Sequence, residues 1–259
     1  MADTVPFTFE SISIGTFILI AAVAVFGAVI SGMSGFGGGM IISAFLAPIV
    51  GVKALVPVLG VVMLLNNASR LWFYRKALDV KTAALVSACA APTAVLGAIL
   101  YMELDVTVIT AILGCVLIGS VPLRRWLAKR EIRFNKVGLG IFGGVFGFLN
   151  ATMVGTGLLV VPVLMGAGLL SQALLATDAA IAIGVNIIKA VMFGSYGVLT
   201  PELTIAAVIV GLCTVPGSWL AAWIVKRTEV RIHTYLMEGL ILIGGISFFW
   251  RLGRMMAWY

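Results

Sequence analysis

The chain has 259 residues, of which 62% are hydrophobic and only 10% are charged. A soluble domain carries roughly 25% charged residues, so this composition excludes a soluble globular protein and indicates an integral membrane protein that crosses the bilayer several times. The formal net charge of +7 does not indicate a nucleic-acid partner, because the basic residues cluster beside apolar segments, where retention in the cytoplasm explains them.

The first ten residues, "MADTVPFTFE", are acidic and lack the basic region of a signal peptide, so we expect the first apolar segment to be retained. A helix needs about 20 apolar residues to cross the hydrocarbon core. Eight segments reach or approach that length: 12–33, 54–74, 82–101, 106–121, 137–154, 173–193, 205–225 and 234–250. Together they predict an all-α fold with about eight full transmembrane helices.

Two shorter apolar pieces, 40–50 and 158–168, cover only about half of the bilayer core at about 1.5 Å per residue. Each follows a glycine-containing stretch, "SGMSGFGGGM" in the first case and "NATMVGTG" in the second. Close helix packing is one interpretation of such glycines. The half-length pieces favour the other, a helix broken at membrane depth, which is tolerated only inside protein or against a watery cavity.

A broken helix of this kind offers an anion site, because the N-terminus of the half-helix that follows carries exposed N–H groups and a partial positive charge. Hydroxyl and amide side chains lie in the same two breaks. The candidate binding residues among them are Ser34, Asn150, Thr152 and Thr156, with Ser31 beside them.

Two further motifs, "NNASR" and "NIIK", place an asparagine three residues before a cation. Asn67 and Arg70, and likewise Asn186 and Lys189, therefore share one face of a helix, an arrangement that suits an oxyanion. Two alternatives stay open: the cations extend to opposite membrane surfaces, and the asparagines form hydrogen bonds between helices.

Two acidic residues, Asp178 and Glu238, interrupt apolar segments. Acids inside a membrane suggest a function, and proton coupling is the candidate role; an interfacial position is the alternative. The three cysteines lie in apolar runs without a CxxC or Cys/His cluster, so neither a disulfide framework nor a zinc site is predicted. No cofactor and no catalytic residue is predicted.

Basic residues concentrate in three connections, 70–81, 124–136 and 226–231, which we assign to the cytoplasm. The connections 103–105 and 194–203 contain no basic residue and are assigned to the outside. An odd number of segments then lies in each half of the chain, so the second half is inverted relative to the first.

An internal duplication agrees with this inversion. Gly37 matches Gly155 at an offset of 118, Asn67 matches Asn186 at 119, and "CAAP" at 89–92 matches "CTVP" at 213–216. We therefore predict two inverted membrane repeats, 11–126 and 137–250, joined by a basic cytoplasmic linker at 127–136. Inverted repeats with broken helices are typical of secondary transporters.

Three stretches carry a resemblance to a known family: "SGMSGFGGGMI", "NATMVGTGLLVVP" and "LVPVLGVVMLLNNASRLWFYRKALDVKTAALV". They resemble the sulfite exporter TauE/SafE family, from about Gly15 to Trp250. The second break departs from the family's pattern, since Val154 and Thr156 stand where a run of glycines is typical. The positions that match the family's paired glycine motifs are Gly35, Gly37, Gly38, Gly39, Gly155 and Gly157.

The resemblance implies a transporter, not an enzyme, that moves sulfur-containing anions such as sulfite, sulfonates and sulfoacetate-like compounds across the plasma (inner) membrane. We expect a secondary carrier working by alternating access, with a small anion and the lipid bilayer as its partners and no nucleic acid. A homodimer is one open option for its oligomeric state. The rival interpretations are a cation carrier or channel that uses Asp178 and Glu238, and a membrane anchor subunit without transport.

Overall fold

The computed structural model describes residues 13–128, 133–225, 227, 246, 250 and 253, and the regular secondary structure of this part of the chain is helical. The all-α prediction is therefore confirmed. The helices are α1 Ile14–Ser34, α2 Gly38–Val50, α3 Val52–Tyr74, α4 Val80–Glu103, α5 Val106–Ala128, α6 Lys136–Thr152, α7 Gly157–Gly166, α8 Ser171–Ser195 and α9 Pro201–Val225, with a short 3-10 turn at Arg75–Ala77.

Seven of the eight long predicted segments correspond to α1, α3, α4, α5, α6, α8 and α9. Within the described ranges, five helices are long and apolar enough to cross a membrane: α1, α3, α4, α8 and α9. The chain is a multi-pass membrane protein. The eighth predicted segment, 234–250, lies outside the described residues except for 246 and 250, so the number of crossings stays a prediction.

The two short predicted pieces form short helices, α2 with 13 residues and α7 with 10. At about 1.5 Å per residue they are about 20 Å and 15 Å long. Residue Gly37, just before α2, has φ 93°, and Gly155, just before α7, has φ 91°. Glycine adopts this left-handed conformation without the steric cost that a Cβ imposes, so both helix breaks depend on it.

Each short helix returns towards the end of the bundle from which its predecessor started. Ile14 and Phe17, at the start of α1, line the same groove as Ile49 and Val50, at the end of α2. In the second half, the backbone N–H of Phe134, just before α6, donates to the carbonyl of Gly166 at the end of α7, at 3.0 Å. The pairs α1–α2 and α6–α7 are therefore re-entrant hairpins.

Helices α3 and α8 form the centre of the bundle, and most of their residues are buried. They run in opposite directions, since Gly60 lies beside Lys189 while Arg70 pairs with Asp178. The start of α3 and the end of α8 consequently lie at the same end of the bundle.

The remaining contacts fix the directions of the two hairpins. α1 runs parallel to α9, because Val25 lies against Gly217 and Gly32 against Ala221. Since α9 starts where α8 ends, α1 also starts at that end, here called the Ile14 end.

The second hairpin starts from the other end of the bundle. α6 runs parallel to α4, with Gly143 against Val86 and Gly97 against Phe148. Because α4 begins where α3 ends, α6 begins at the opposite end, here called the Lys136 end. The two hairpins therefore open towards opposite ends of the bundle.

Glycines let the hairpin helices approach their partners closely. A Cβ on Gly147 would lie 2.1 Å from the carbonyl oxygen of Ala90, between α6 and α4. A Cβ on Gly217 would lie 2.2 Å from the carbonyl oxygen of Val25, between α9 and α1. Both distances are too short for any side chain, so small residues set the spacing of these membrane helices.

The connection between α3 and α4 ends in a helix cap. The carboxylate of Asp79 accepts hydrogen bonds from the backbone N–H groups of Thr82 at 3.2 Å and Lys81 at 3.1 Å. These bonds favour the ionised form, and the Thr82 backbone bond above all lowers the pKa of Asp79 from its ordinary value. Asp79 thus provides the N-cap of α4.

Candidate functional site

The two helix breaks face one cavity of about 90 Å³ in the centre of the bundle, between α3 and α8. One water molecule needs about 10–15 Å³ by this measure, so the space suits several waters or one small anion. Most of the residues proposed from the sequence line this cavity: Gly35, Gly37, Gly38, Gly39, Asn67, Arg70, Asn150, Gly155, Thr156, Gly157, Asp178, Asn186 and Lys189.

Two of the described candidates, Ser34 and Thr152, do not line it. The hydroxyl of Ser34 lies 2.7 Å from the carbonyl oxygen of Ile30, and that of Thr152 lies 3.1 Å from the carbonyl oxygen of Phe148. The Thr152 hydroxyl thus bonds within its own helix, whereas that of Ser34 also donates to the carbonyl oxygen of Phe36 in the first break, at 2.8 Å. Glu238, the second proton-coupling candidate, lies outside the described residues.

The backbone is closely packed at both breaks. A Cβ on Gly38 would lie 2.4 Å from the carbonyl oxygen of Gly27, so no side chain fits there, and a Cβ on Gly155 would lie 1.8 Å from Cε of Met40, so that side chain would have to move. The breaks also contact each other, since a Cβ on Gly157 would lie 3.2 Å from Cβ of Phe36. The N-termini of α2 and α7 therefore meet at the cavity from opposite ends of the bundle.

Asn67 on α3 and Asn186 on α8 are 6% and 3% exposed and line the cavity. Within the part of the chain that the structure describes, neither side-chain amide forms a hydrogen bond. A buried amide normally finds a partner, and these two have none in the surrounding helices. Their donors and acceptors are therefore free for a molecule in the cavity.

Arg70 and Asp178 form a buried ion pair between α3 and α8, and each is 2% exposed. Nη1 of Arg70 also donates to the carbonyls of Ser31 at 3.0 Å and Gly35 at 3.2 Å, at the end of α1. Arg70 thus ties the first break to both central helices, and it does not extend to a membrane surface. Asp178 likewise lies inside the protein and not at an interface.

Lys189 is also buried, at 5% exposed, but its partners are different. Its Nζ donates to Oδ1 of Asn150 at 3.3 Å, and Nδ2 of Asn150 donates to Oγ1 of Thr156 at 2.7 Å, in the second break. Among the described residues no carboxylate lies within ion-pair distance of Lys189. A buried cation without a counter-charge is costly, so the arrangement favours an anion in the cavity.

Asn66 is a site residue that the sequence analysis did not select. Its Nδ2 donates to Oγ of Ser31 at 3.0 Å, and its Oδ1 accepts from the hydroxyl of Ser218 at 3.3 Å. The doubled asparagine in "NNASR" was a signal for it. Met40 and Met63 also line the cavity. Each lies in an apolar stretch of sequence, so nothing in the sequence distinguished them from other apolar residues.

No group of three or more His, Cys, Asp or Glu residues that would hold a metal ion occurs in the described ranges.

Comparison with known proteins gives one clear match: the family model for the sulfite exporter TauE/SafE covers residues 19–248. Neither a curated protein nor a solved structure matches the chain.

Proposed function

The chain belongs to the sulfite exporter TauE/SafE family, and from this premise we propose that it is a secondary transporter for small sulfur-containing anions in the plasma membrane. A membrane transporter of the sulfite exporter type is what the family match supports directly. Sulfite, sulfonates and sulfoacetate-like compounds are the proposed substrates.

The observation that carries the proposal is the buried ammonium group of Lys189, which shares a cavity with two asparagines that have no hydrogen-bond partner in the described structure. An oxyanion supplies what each of these groups needs: a negative charge for the lysine and acceptor oxygens for the amide N–H groups. The N-termini of α2 and α7 meet at the same cavity and add their partial positive charge.

We further propose that the two halves are inverted repeats and that transport proceeds by alternating access, with one half rocking about the cavity. The exchange of contacts between the halves supports the proposal: α1 packs on α9, and α6 packs on α4. The opposite directions of the two re-entrant hairpins support it as well. An anion between the breaks would then reach the two sides of the membrane in turn.

The geometry does not favour the rival cation carrier. A cation would need an acidic residue as its ligand. Asp178, the acidic residue among the described residues that line the cavity, already pairs with Arg70. The cavity also presents an ammonium group and no free carboxylate within the described residues. A cation in this place would meet an excess of positive charge.

A binding screen on the purified protein tests the proposal. A ligand that binds only the folded state stabilises it by mass action, by about 2.7 kcal/mol at 100 times its dissociation constant. We expect sulfite, methanesulfonate and sulfoacetate to raise the thermal unfolding temperature and to enter proteoliposomes that contain the protein. Asn67→Ala and Asn186→Ala should weaken both effects.

Thr110→Val is the matched control. Thr110 is buried on α5 away from the cavity, and its hydroxyl donates to the carbonyl of Val106 in the same helix. It should leave anion binding unchanged. Metal-ion uptake that is unaffected by sulfite and sulfonates would refute the proposed function. Full activity in both asparagine variants would refute it as well.

A further inference from the structure

We propose that a groove at the Lys136 end of the bundle binds one anionic phospholipid from the membrane, with the lipid phosphate beside Arg227 and an acyl chain against the aromatic side chains of α9. The groove shares no lining residue with the central cavity. The inference therefore goes beyond the proposed transport and does not depend on the transported anion.

The groove lies on the outside of the bundle, between α3 and α9, and has a volume of about 240 Å³. Phe73 near the end of α3 lines one side, and Trp219, Ala222 and Trp223 of α9 line the other. Arg227, just beyond the end of α9, is the charged residue among the described residues that line it. Both helices end at the Lys136 end, so the groove opens there.

The groove has a cationic end and an apolar end. Trp219, Trp223 and Arg227 follow one another at four-residue spacing, and a turn continues α9 to Arg227, whose backbone N–H donates to the carbonyl of Ile224 at 2.8 Å. Eight residues of helix span about 12 Å, so Trp219 lies about that much closer to the middle of the bundle. This arrangement suits an amphiphile, with its headgroup at Arg227 and its hydrocarbon chain along the two rings.

The two tryptophans face the membrane. Trp219 is 57% exposed and Trp223 is 45% exposed, and neither indole N–H donates to a described residue. Tryptophan is typical of the membrane–water interface, because its ring is apolar and its N–H is polar. The indole N–H groups can therefore donate to the phosphate or ester oxygens of a lipid.

The guanidinium of Arg227 is held at the opening of the groove. Its Cζ lies 4.1 Å from the centroid of the Trp223 ring, and no described carboxylate lies within ion-pair distance of it. Stacking on the ring leaves its N–H groups free to bind a phosphate with two parallel hydrogen bonds.

The charge of the surrounding sequence also favours an anionic lipid. The stretch "KRTEVR" at 226–231 contains three basic residues and one acid, and we assign it to the cytoplasm. The cytoplasmic leaflet carries the negative surface potential, and basic pockets between transmembrane helices on that side bind anionic headgroups.

Arg75 and Trp72 provide a matched comparison at the same end of the bundle. Cζ of Arg75 also lies 4.1 Å from the centroid of the Trp72 ring, and its Nη1 donates to the carbonyl of Trp72 at 2.6 Å. Neither residue lines the groove. If positive charge at the surface were sufficient, the two arginines would contribute equally to lipid binding. The groove predicts that Arg227 alone of the two contributes.

Native mass spectrometry of the purified full chain in detergent measures the binding of single lipids. Phosphatidylglycerol carries a net negative charge and phosphatidylcholine with the same acyl chains carries none. We expect the unchanged protein to bind the first phosphatidylglycerol at least about fivefold more tightly than the first phosphatidylcholine. Arg227→Gln should reduce that ratio about fivefold, and Arg75→Gln should leave it unchanged. Trp219→Ala should weaken both lipids equally, because it removes part of the wall for the chain and no charge.

A fluorescence measurement keeps the test decisive if Arg227→Gln does not fold. Phosphatidylglycerol with brominated acyl chains, added at one molecule per protein in detergent, quenches the tryptophans that it contacts. The quenching should fall in Trp219→Phe, which keeps an aromatic wall, and should persist in Trp72→Phe.

The unfavourable outcomes are distinct. Equal affinities of the unchanged protein for the two lipids, or no binding of either, overturn the inference. The same loss of preference in Arg75→Gln as in Arg227→Gln overturns it too, because a general surface charge would then suffice. Displacement of phosphatidylglycerol by an equal concentration of glycerol 3-phosphate would show a site for a free phosphate ester and not for a lipid. None of these results affects the proposed anion transport.

Discussion

Replacing Lys189 by methionine removes the ammonium group on which the proposed anion site depends while keeping an unbranched side chain of similar length. The ammonium of Lys189 is buried and makes a single hydrogen bond, at 3.3 Å to Oδ1 of Asn150, and it has no carboxylate partner among the described residues. Lys189→Met therefore removes one hydrogen bond from the protein without a bound anion. It also removes the positive charge that a bound anion would contact.

The two effects have opposite signs. Hydrogen bonds to a charged group contribute about 1.5–3 kcal/mol, so the affinity for sulfonates should fall roughly 10- to 150-fold, at 1.4 kcal/mol per tenfold. The free energy of unfolding of the empty protein should stay the same or rise, because the variant no longer buries a charge without a counter-charge. If Lys189 had a purely structural role, the variant would instead lose stability, and its affinity for sulfonates would not fall.

Thermal unfolding of the purified protein, with and without methanesulfonate, measures both quantities in one experiment. Lys53→Met is the matched control, since Nζ of Lys53 donates to the carbonyls of Met102 at 3.2 Å and Leu104 at 3.4 Å at the end of α4. This control should lose about 0.3–1 kcal/mol of stability, the usual contribution of a cation at a helix C-terminus. Its stabilisation by methanesulfonate should be that of the unchanged protein.

The reasoning is refuted if Lys189→Met binds methanesulfonate as the unchanged protein does. It is also refuted if Lys189→Met, without a bound anion, loses as much stability as Lys53→Met or more, because Lys189 would then stabilise the folded state. Lys189→Arg keeps the charge and should retain measurable anion binding.

Three further predictions concern the helix breaks, a helix cap and the membrane topology. Gly155→Ala should cost more stability than Gly168→Ala and should weaken anion binding, because the Met40 side chain must move away from the new Cβ in addition to the backbone strain at φ 91°. Gly168→Ala, with φ 90° and open space around it, should cost only about 1–2 kcal/mol of backbone strain in thermal unfolding. Asp79→Ala should cost about 0.5–2 kcal/mol of stability through loss of the α4 cap. In intact cells, a membrane-impermeant maleimide should label Val198→Cys. It should label Asn135→Cys only after the cells are permeabilised.

The helix cap also predicts a pH dependence. Since the folded protein lowers the pKa of Asp79, its stabilising contribution is present above the pKa of an unfolded carboxyl and is lost as the pH falls through the lower folded value. Asp79→Asn keeps a capping side chain that does not titrate. The stability of the unchanged protein relative to Asp79→Asn should therefore fall towards acid pH, and a constant difference would contradict the role of the carboxylate.

The labelling experiment needs a background without the natural cysteines at 89, 115 and 213. Labelling of Asn135→Cys in intact cells, with Val198→Cys protected, would reverse the proposed orientation. The Gly155 comparison fails if both alanine variants lose the same stability, because strain alone would then account for the effect.

Much of the helical framework could be predicted from hydropathy. Seven predicted segments and two short pieces correspond to helices within the described residues, because a membrane helix must satisfy its backbone hydrogen bonds internally and needs a continuous apolar run to do so. The glycine stretches also indicated where the short helices begin. Glycine tolerates the left-handed φ found at Gly37 and Gly155, so this local feature is encoded locally.

The partners of the polar residues could not be predicted in the same way. Arg70 and Asp178 are 108 positions apart, and nothing in the sequence around either one indicates the other. The sequence favoured similar roles for Arg70 and Lys189, because both follow an asparagine by three residues. In the structure their surroundings differ, since Arg70 forms an ion pair with Asp178 whereas Lys189 donates to the amide oxygen of Asn150.

The sequence by itself thus determined the membrane class, the helices and the two breaks, all of which depend on the local run of apolar residues and glycines. Only the tertiary structure decided which buried charge has a charged partner and which one has none among the described residues. That balance depends on the packing of α3 against α8, because the interaction of two charges depends on the distance between them in space and not on their separation along the chain.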